Sequence, residues 1–369
     1  MLPQIQSRFS MRSLSVHFVS LLLAAASACQ PLLSSAANPS EIQGAGSSAA
    51  TLVYASWADA YAGATGNAVR YDPVGSTAGL ARIKEGSVDF GAADVVPDET
   101  RNPAGALVVF PTVVTGAVPV FNLPLPPGSE LRMDGATLAD VFLGRIQRWN
   151  AAQLKALNPG LTLPDLPIVR VVRRDGSGTT HNFSDYLSRV SKSWQSRYGV
   201  AARFDWEGEV VQAKGSGEMA RQVQQTSGAI GYVDFSYVES RKLRSVTLRN
   251  RDGNDVRASP DGFAAALAAS PWPSSGDFST SLTDMPGARS WPITMGTFVM
   301  LPRQTTRPEQ TRQVVAFFTW AFLHGDELLA RSAFVRLPDR VQAKAYRALT
   351  TVVDESGRPL GYGGLGMAK

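Results

Sequence analysis

The chain has 369 residues, of which 44% are hydrophobic and 18% charged, and it carries a formal net charge of +5. That composition suits a globular protein large enough for two domains with sizeable cores, and it excludes a disordered chain. No dense run of Lys and Arg accompanies the basic balance, which argues for a general preference for anions and against nucleic acid.

Residues 1–40 read as an export signal and spacer. Arg8 and Arg12 form a basic start, Val19 to Ala26 is an apolar core too short to span a membrane, and small residues follow. The segment contains no acid, so losing Arg8 and Arg12 with it lowers the net charge to +3. Ala26-Ser27-Ala28 and Ser35-Ala36-Ala37 each offer a cleavage site. Cys29 is the only cysteine, which excludes an intrachain disulfide. Its place after the first site also suits lipid attachment, although Ala26 stands where a lipoprotein signal usually has Leu. A soluble periplasmic product and one anchored through Cys29 are both open; export itself is the expectation.

Gly44-Ala45-Gly46-Ser47-Ser48 precedes a helix with its apolar stripe at Ala50, Val53, Tyr54, Trp57, Ala58 and Tyr61, stopped by Gly63 and Gly66. A strand at Ala68 to Tyr71 follows. Val74-Gly75-Ser76-Thr77-Ala78-Gly79 then opens a short helix that ends at Gly86, before a strand at Val88 to Gly91 and Ala92-Ala93-Asp94. This β-α-β alternation implies a mostly parallel sheet covered by helices. Residues 107–123 are β-like but broken by Pro111 and Pro119, and they end in a Pro-rich stretch suited to a domain crossing.

Arg173-Arg174-Asp175-Gly176-Ser177-Gly178-Thr179-Thr180 lies between an apolar strand (Ile168, Val169, Val171, Val172) and a helix whose apolar face is Phe183, Tyr186, Leu187, Val190 and Trp194. A strand that turns through glycines into a helix start exposes unpaired N–H groups and the positive end of the helix dipole. Ser177, Thr179 and Thr180 add hydroxyls, and an arginine adds charge, so the turn suits a small anion. By itself it fits equally well an ordinary junction with Ser177 as N-cap. Lys214-Gly215-Ser216-Gly217 opens another helix through Met219 and Val223, and Gly228 to Phe235 reads as a strand. Residues 252–290 are weakly patterned. A strand at Thr297 to Leu301, a core helix (Val314, Val315, Phe317, Phe318, Trp320, Ala321, Leu323) and a loose tail from Gly361 to Lys369 complete the chain.

These blocks, together with Val88-Asp89-Phe90-Gly91-Ala92-Ala93-Asp94, Gly228-Ala229-Ile230-Gly231-Tyr232 and Trp291-Pro292-Ile293-Thr294, resemble in order the phosphate-binding protein of the bacterial phosphate-specific ABC transporter. The resemblance covers about residues 42–360. It implies an α/β, two-lobed class II-type periplasmic binding protein. Each lobe is a mostly parallel sheet flanked by helices, and two chain crossings form the hinge. Lobe 1 would be 42–121 plus 292–369, and lobe 2 would be 122–291. The implied ligand is inorganic phosphate and the implied partners are permease subunits of the inner membrane. The protein would act as a monomer, with no cofactor, metal or nucleic acid.

The resemblance assigns phosphate contacts to Ser48, Ala49, Ser76, Asp94, Arg173, Ser177, Gly178 and Thr179, and gives Asp175 the task of orienting Arg173. Register to Asp175 and Ser177 favours Arg173 over Arg174. Ala49 departs from the family, which commonly has Phe there. Asp94 is informative: a carboxylate repels an anion unless the ligand brings a proton, as hydrogen phosphate does. Sulfate would set acceptor against acceptor, at ~1–3 kcal/mol or more for the unmade bond. Two other functions are less well supported: an exported phosphate sensor or receptor for another tetrahedral oxyanion, and a serine hydrolase using Ser177. The Gly-x-Ser-x-Gly pattern fails at Asp175 and Thr179, and His181 is the only nearby histidine.

Overall fold

The computed structural model describes residues 41–98, 105–330 and 332–361. The expected export signal with Cys29, and the expected tail beyond Gly361, lie outside them.

The chain begins with the β-α-β alternation that the sequence predicts. Strand β1 (Ile42–Gly46) lies parallel to both β2 (Val69–Asp72) and β3 (Phe90–Ala93). Parallel neighbours require crossovers, supplied by α1 (Thr51–Thr65), entered through a single 3-10 turn at Ser48–Ala50, and by α2 (Ser76–Lys84). Helix α1 buries Val53, Tyr54, Trp57 and Tyr61. Gly63, expected to stop it, lies within it. Only Gly66, at φ +77°, takes the left-handed conformation that turns the chain away.

Strand β4 (Leu107–Phe121) corrects a second expectation, because neither proline breaks it. Pro111 faces Phe298 of β11 (Thr294–Pro302) where the register of that pair shifts, and such an irregularity tolerates a missing donor. Pro119 faces Tyr232 of β8 (Ala229–Asp234), whose amide is directed out of the ladder to Met219 Sδ at 3.3 Å.

From β4 the chain passes through β5 (Leu131–Met133), α3 (Gly135–Phe142) and α4 (Ala152–Leu157) to β6 (Val169–Arg173). The helix expected over Phe183 to Trp194 is two helices, α5 (Gly178–Val190) and α6 (Lys192–Arg197). Ser191 ends the first and caps the second by accepting the Trp194 amide at 3.2 Å. Then come β7 (Val211–Ala213), α7 (Gly215–Gln225), β8, α8 (Phe235–Arg241), β9 (Arg244–Arg249) and β10 (Asp255–Val256). The weakly patterned stretch after 252 hides α9 (Pro260–Ala269), capped by Ser259, and the short α10 (Trp272–Ser275). The last segment holds β11, β12 (Gln304–Thr305), α11 (Pro308–His324), α12 (Asp326–Ala330), α13 (Asp339–Thr350) and β13 (Val353–Asp354).

The main sheet runs β2-β1-β3-β11-β4-β8-β6-β7, and β9 joins β4, β5 and β10 beside it. Parallel pairing holds from β2 to β3 and from β8 to β7, while antiparallel pairs link β3, β11, β4 and β8. Strand β4 therefore serves two halves of the sheet: Leu107 to Gly116 pairs with β11, and Ala117 to Phe121 pairs with β8. One aromatic cluster (Tyr54, Phe90, Phe110, Phe317, Phe318) packs α1 and α11 on the first half. Phe183 stacks on Tyr232 at 4.2 Å in the second. In α11, Leu323 departs from its expected core role and is 63% exposed, whereas Phe322 faces inward.

Candidate functional site

The turn from β6 into α5 places a charge in a dry setting. Arg173 is 1% exposed, and its Nε donates to Asp175 Oδ1 at 2.7 Å while Nη2 donates to Oδ2. The Gly215 amide adds a bond to Asp175 Oδ1 at 3.1 Å. Burial pushes the Asp175 carboxyl up, but the guanidinium and that amide outweigh it and hold it below the ordinary carboxylate range. Nη1 of Arg173 is buried with no hydrogen-bond partner. A donor in that condition is rare unless a ligand meets it. Arg174, by contrast, is half exposed and faces Glu218.

Ser177 caps α5, its Oγ accepting the Thr180 amide at 3.1 Å. Thr180 turns its hydroxyl to Tyr232 Oη at 2.9 Å, so of the three hydroxyls in the turn this one belongs to the core. Thr179 is buried beside them.

The start of α2 meets that turn from the other half of the sheet. Gly75 has φ +99°, and a Cβ there would lie 2.7 Å from Asp175 Oδ2, so both backbone angle and space call for glycine. Ser76 Oγ accepts the Gly178 amide at 3.1 Å and the Asp94 amide at 3.4 Å. A Cβ on Gly178 would fall 2.6 Å from Ser76 Oγ.

Ser48 and Ala49 supply a third helix start. Ser48 Oγ accepts the Ser216 amide at 3.1 Å and stands 3.1 Å from Ser216 Oγ, which brings in a fourth, that of α7. The Ala49 amide donates to Ser47 Oγ at 3.0 Å. Residues at four helix N-termini thus meet in one small region, where their backbone amides are concentrated.

Asp94, just after β3, is 2% exposed. Ser47 Oγ donates to its Oδ2 at 2.6 Å and Thr297 Oγ1 to its Oδ1 at 3.0 Å. Burial raises the carboxyl to about 6, against the pull of those hydroxyls and of Arg173. Asn182 Nδ2 donates to the Asp94 carbonyl at 2.7 Å and so ties α5 to the end of β3. The arrangement combines a permanent cation, aligned amides and a carboxyl able to accept a proton. Chemically, that suits an oxyanion carrying a hydrogen.

All nine positions named from the sequence gather here. Sequence reasoning passed over Ser47, Asn182, Ser216 and Thr297. The Gly215-Ser216-Gly217 helix start repeats the grammar of the other three and could have been included. Thr297 sits in an apolar strand, where a threonine is ordinary, and carried no signal. Among the described residues no group of three or more His, Cys, Asp or Glu could hold a metal, and no helix is long and apolar enough to cross a membrane.

Two α/β halves that share β4 and close on a site of this kind define a two-lobed, class II-type periplasmic binding protein. The PBP superfamily domain matches residues 33–322. The phosphate-binding protein PstS of Xylella fastidiosa is 39% identical over 310 residues, 84% of this chain and 85% of that protein. PstS of Haemophilus influenzae is 38% identical over 303 residues, 82% and 90%. The chain belongs to this PstS family of phosphate-binding proteins. It shares its fold with a high affinity periplasmic phosphate-binding protein (PfluDING) solved with phosphate at pH 8.5, at TM-score 0.68 and 20% identity over 88% of this chain and 97% of that one.

Proposed function

We infer that the protein binds inorganic phosphate between two lobes, 42–121 plus 292–369 and 122–291, and delivers it to ABC-transporter permease subunits from the periplasm. The observation that carries this is the buried pair of opposite groups. Arg173 holds one buried N–H without a partner, and Asp94 is a buried carboxyl within reach of its charge. An oxyanion satisfies the first, and only an oxyanion bearing a proton can donate to the second while that carboxyl is ionised. Ser48, Ala49, Ser76, Ser177, Gly178 and Thr179 surround the ligand with amides and hydroxyls, and Asp175 holds Arg173 in place. Lobe closure excludes water, which strengthens each of these bonds. Membership of the PstS family supports both ligand and transport role.

Binding without catalysis is favoured because Ser177 Oγ already serves as the helix cap of α5, accepting the Thr180 amide. Calorimetric titration of the mature protein with phosphate, sulfate, arsenate and molybdate tests the assignment. Phosphate and arsenate should bind alike and sulfate far more weakly. Sulfate binding as tight as phosphate would overturn it. Scattering with saturating phosphate should show compaction.

A further inference from the structure

The carboxyl of Asp94 is held from two distant parts of the chain. Ser47, just after β1, donates its hydroxyl to Oδ2 at 2.6 Å, and Thr297 of β11 donates to Oδ1 at 3.0 Å. Both donors are closed off from solvent, Ser47 at 1% exposed and Thr297 at 0%. Strand β11 pairs with β3 on one side and β4 on the other, so Thr297 rests on a stiff frame. Phosphate binding as described uses Asp94 and leaves both hydroxyls without a role.

The direction of the Ser47 bond follows from the backbone. Ser47 caps the turn at Ser48–Ala50, and its oxygen takes the Ala49 amide at 3.0 Å. A cap needs only that oxygen, so its one hydrogen is left for Asp94. With a donor on each oxygen, the ionised carboxylate is favoured over the acid. A protonated Asp94 would weaken one of the two bonds, because a protonated oxygen is the poorer acceptor. The ligand, and not Asp94, is therefore the partner that must bring the hydrogen. Burial works the other way and raises the carboxyl to about 6; Ser47, Thr297 and Arg173 of β6 pull it back. Tyr54 of α1, Tyr71 of β2 and Asp234 of β8 also lie within the field of Asp94.

We propose that Ser47 and Thr297 are positioning residues that set the selectivity for protonated oxyanions, by holding Asp94 as a hydrogen-bond acceptor towards the ligand. The proposal rests on phosphate being the ligand. Sulfate brings no hydrogen at neutral pH, so it needs Asp94 to take up a proton first, and each hydroxyl opposes that uptake. Hydrogen phosphate is less sensitive, because it can donate to the carboxylate or accept from the acid. Losing either hydroxyl should therefore tighten sulfate far more than phosphate.

The test is the Kd of sulfate and of phosphate, by calorimetry at neutral pH, for the wild type, Ser47→Ala and Thr297→Val. The ratio of sulfate Kd to phosphate Kd should fall by about tenfold or more in each variant, the worth of one hydrogen bond to a charged group. Ser47→Ala also frees the Ala49 amide, but any gain from that is shared by both anions and cancels in the ratio. Thr297→Val keeps the shape of the side chain and leaves the Ala49 bond alone. Ser47→Thr and Thr297→Ser, which keep the hydroxyls, should retain the wild-type ratio. The pH below which sulfate binds should also move up in the two variants that lose a hydroxyl. A merely structural role would weaken both anions alike and move neither reading. A ratio within about twofold of wild type, or sulfate as weak as in the wild type, would overturn the role of the residue replaced. Should Ser47→Ala fail to fold, Thr297→Val decides. Folded wild type that binds no phosphate, or binds sulfate as tightly, would instead overturn the ligand assignment, and the proposal with it.

Discussion

Replacing Asn182 by Ala should weaken phosphate binding without touching the ligand. Asn182 is 6% exposed and makes two bonds from one amide nitrogen. The bond to Gly178 O, at 2.9 Å, stays within α5 and survives any movement of the lobes. The bond to Asp94 O, at 2.7 Å, spans the two halves of the sheet, so a lobe opening of the kind proposed would break it. Deleting it removes a hydrogen bond worth ~0.5–1.5 kcal/mol and leaves a buried carbonyl unpaired at ~1–3 kcal/mol. In an open form, water reaches that carbonyl and the second cost disappears. The closed state should therefore lose about 1–3 kcal/mol relative to the open one, which is a rise in Kd of roughly 5- to 150-fold. Calorimetry gives the Kd, and small-angle scattering should show that the variant needs more phosphate to reach the compact form. A Kd within about twofold of wild type, with an unchanged compaction curve, would refute the idea that this bond reports on closure.

Asp94→Asn should admit sulfate, and it should also change stability with pH in the ligand-free protein. The folded carboxyl titrates at about 6, above its ordinary value of 3.8, so the folded state binds the proton more tightly than the unfolded chain does. The contribution of Asp94 to wild-type stability is therefore full below the ordinary value and is lost as pH rises through about 6. The Asn variant should melt higher than wild type at pH 8 and lose that advantage near pH 4, by up to about 3 kcal/mol for a two-unit displacement; equal melting profiles would count against the burial argument. Arg173→Lys cannot keep two bonds to Asp175 and still offer a third N–H, and should cost at least about tenfold in phosphate affinity by titration. Gly178→Ala should leave folding intact in chemical denaturation, since alanine suits a helix, but its Cβ would strike Ser76 Oγ and Asp94 and cost roughly 1–3 kcal/mol of closure.

Much of the site was legible because its parts are short local motifs. Glycines followed by a hydroxyl residue at a helix start suit either an anion nest or a plain N-cap, and it was the recurrence of that pattern around Arg173, Ser76 and Ser48 that favoured the nest. Local periodicity likewise located α1, α2, α5 and α11, since burial on one face leaves a trace every three or four residues. It failed where a local rule was overridden by a neighbour. Pro111 and Pro119 look like strand breakers until β11 and β8 supply an irregular register and a diverted amide. Leu323 looks like core until the helix is seen to turn that face to solvent.

What the sequence by itself determined is the set of helix starts, the charge among them, and the family that arranges them so. What only the tertiary structure decided is which groups share the interior. Thr297 meets Asp94 across 203 residues of chain, and Ser216 meets Ser48 across 168. Those meetings depend on how β4 and β11 carry the halves past one another, and no local pattern encodes them. The protonation of Asp94 and Asp234 belongs to the same category, because a carboxyl rises to about 6 or 7 only when the surrounding fold takes away its water.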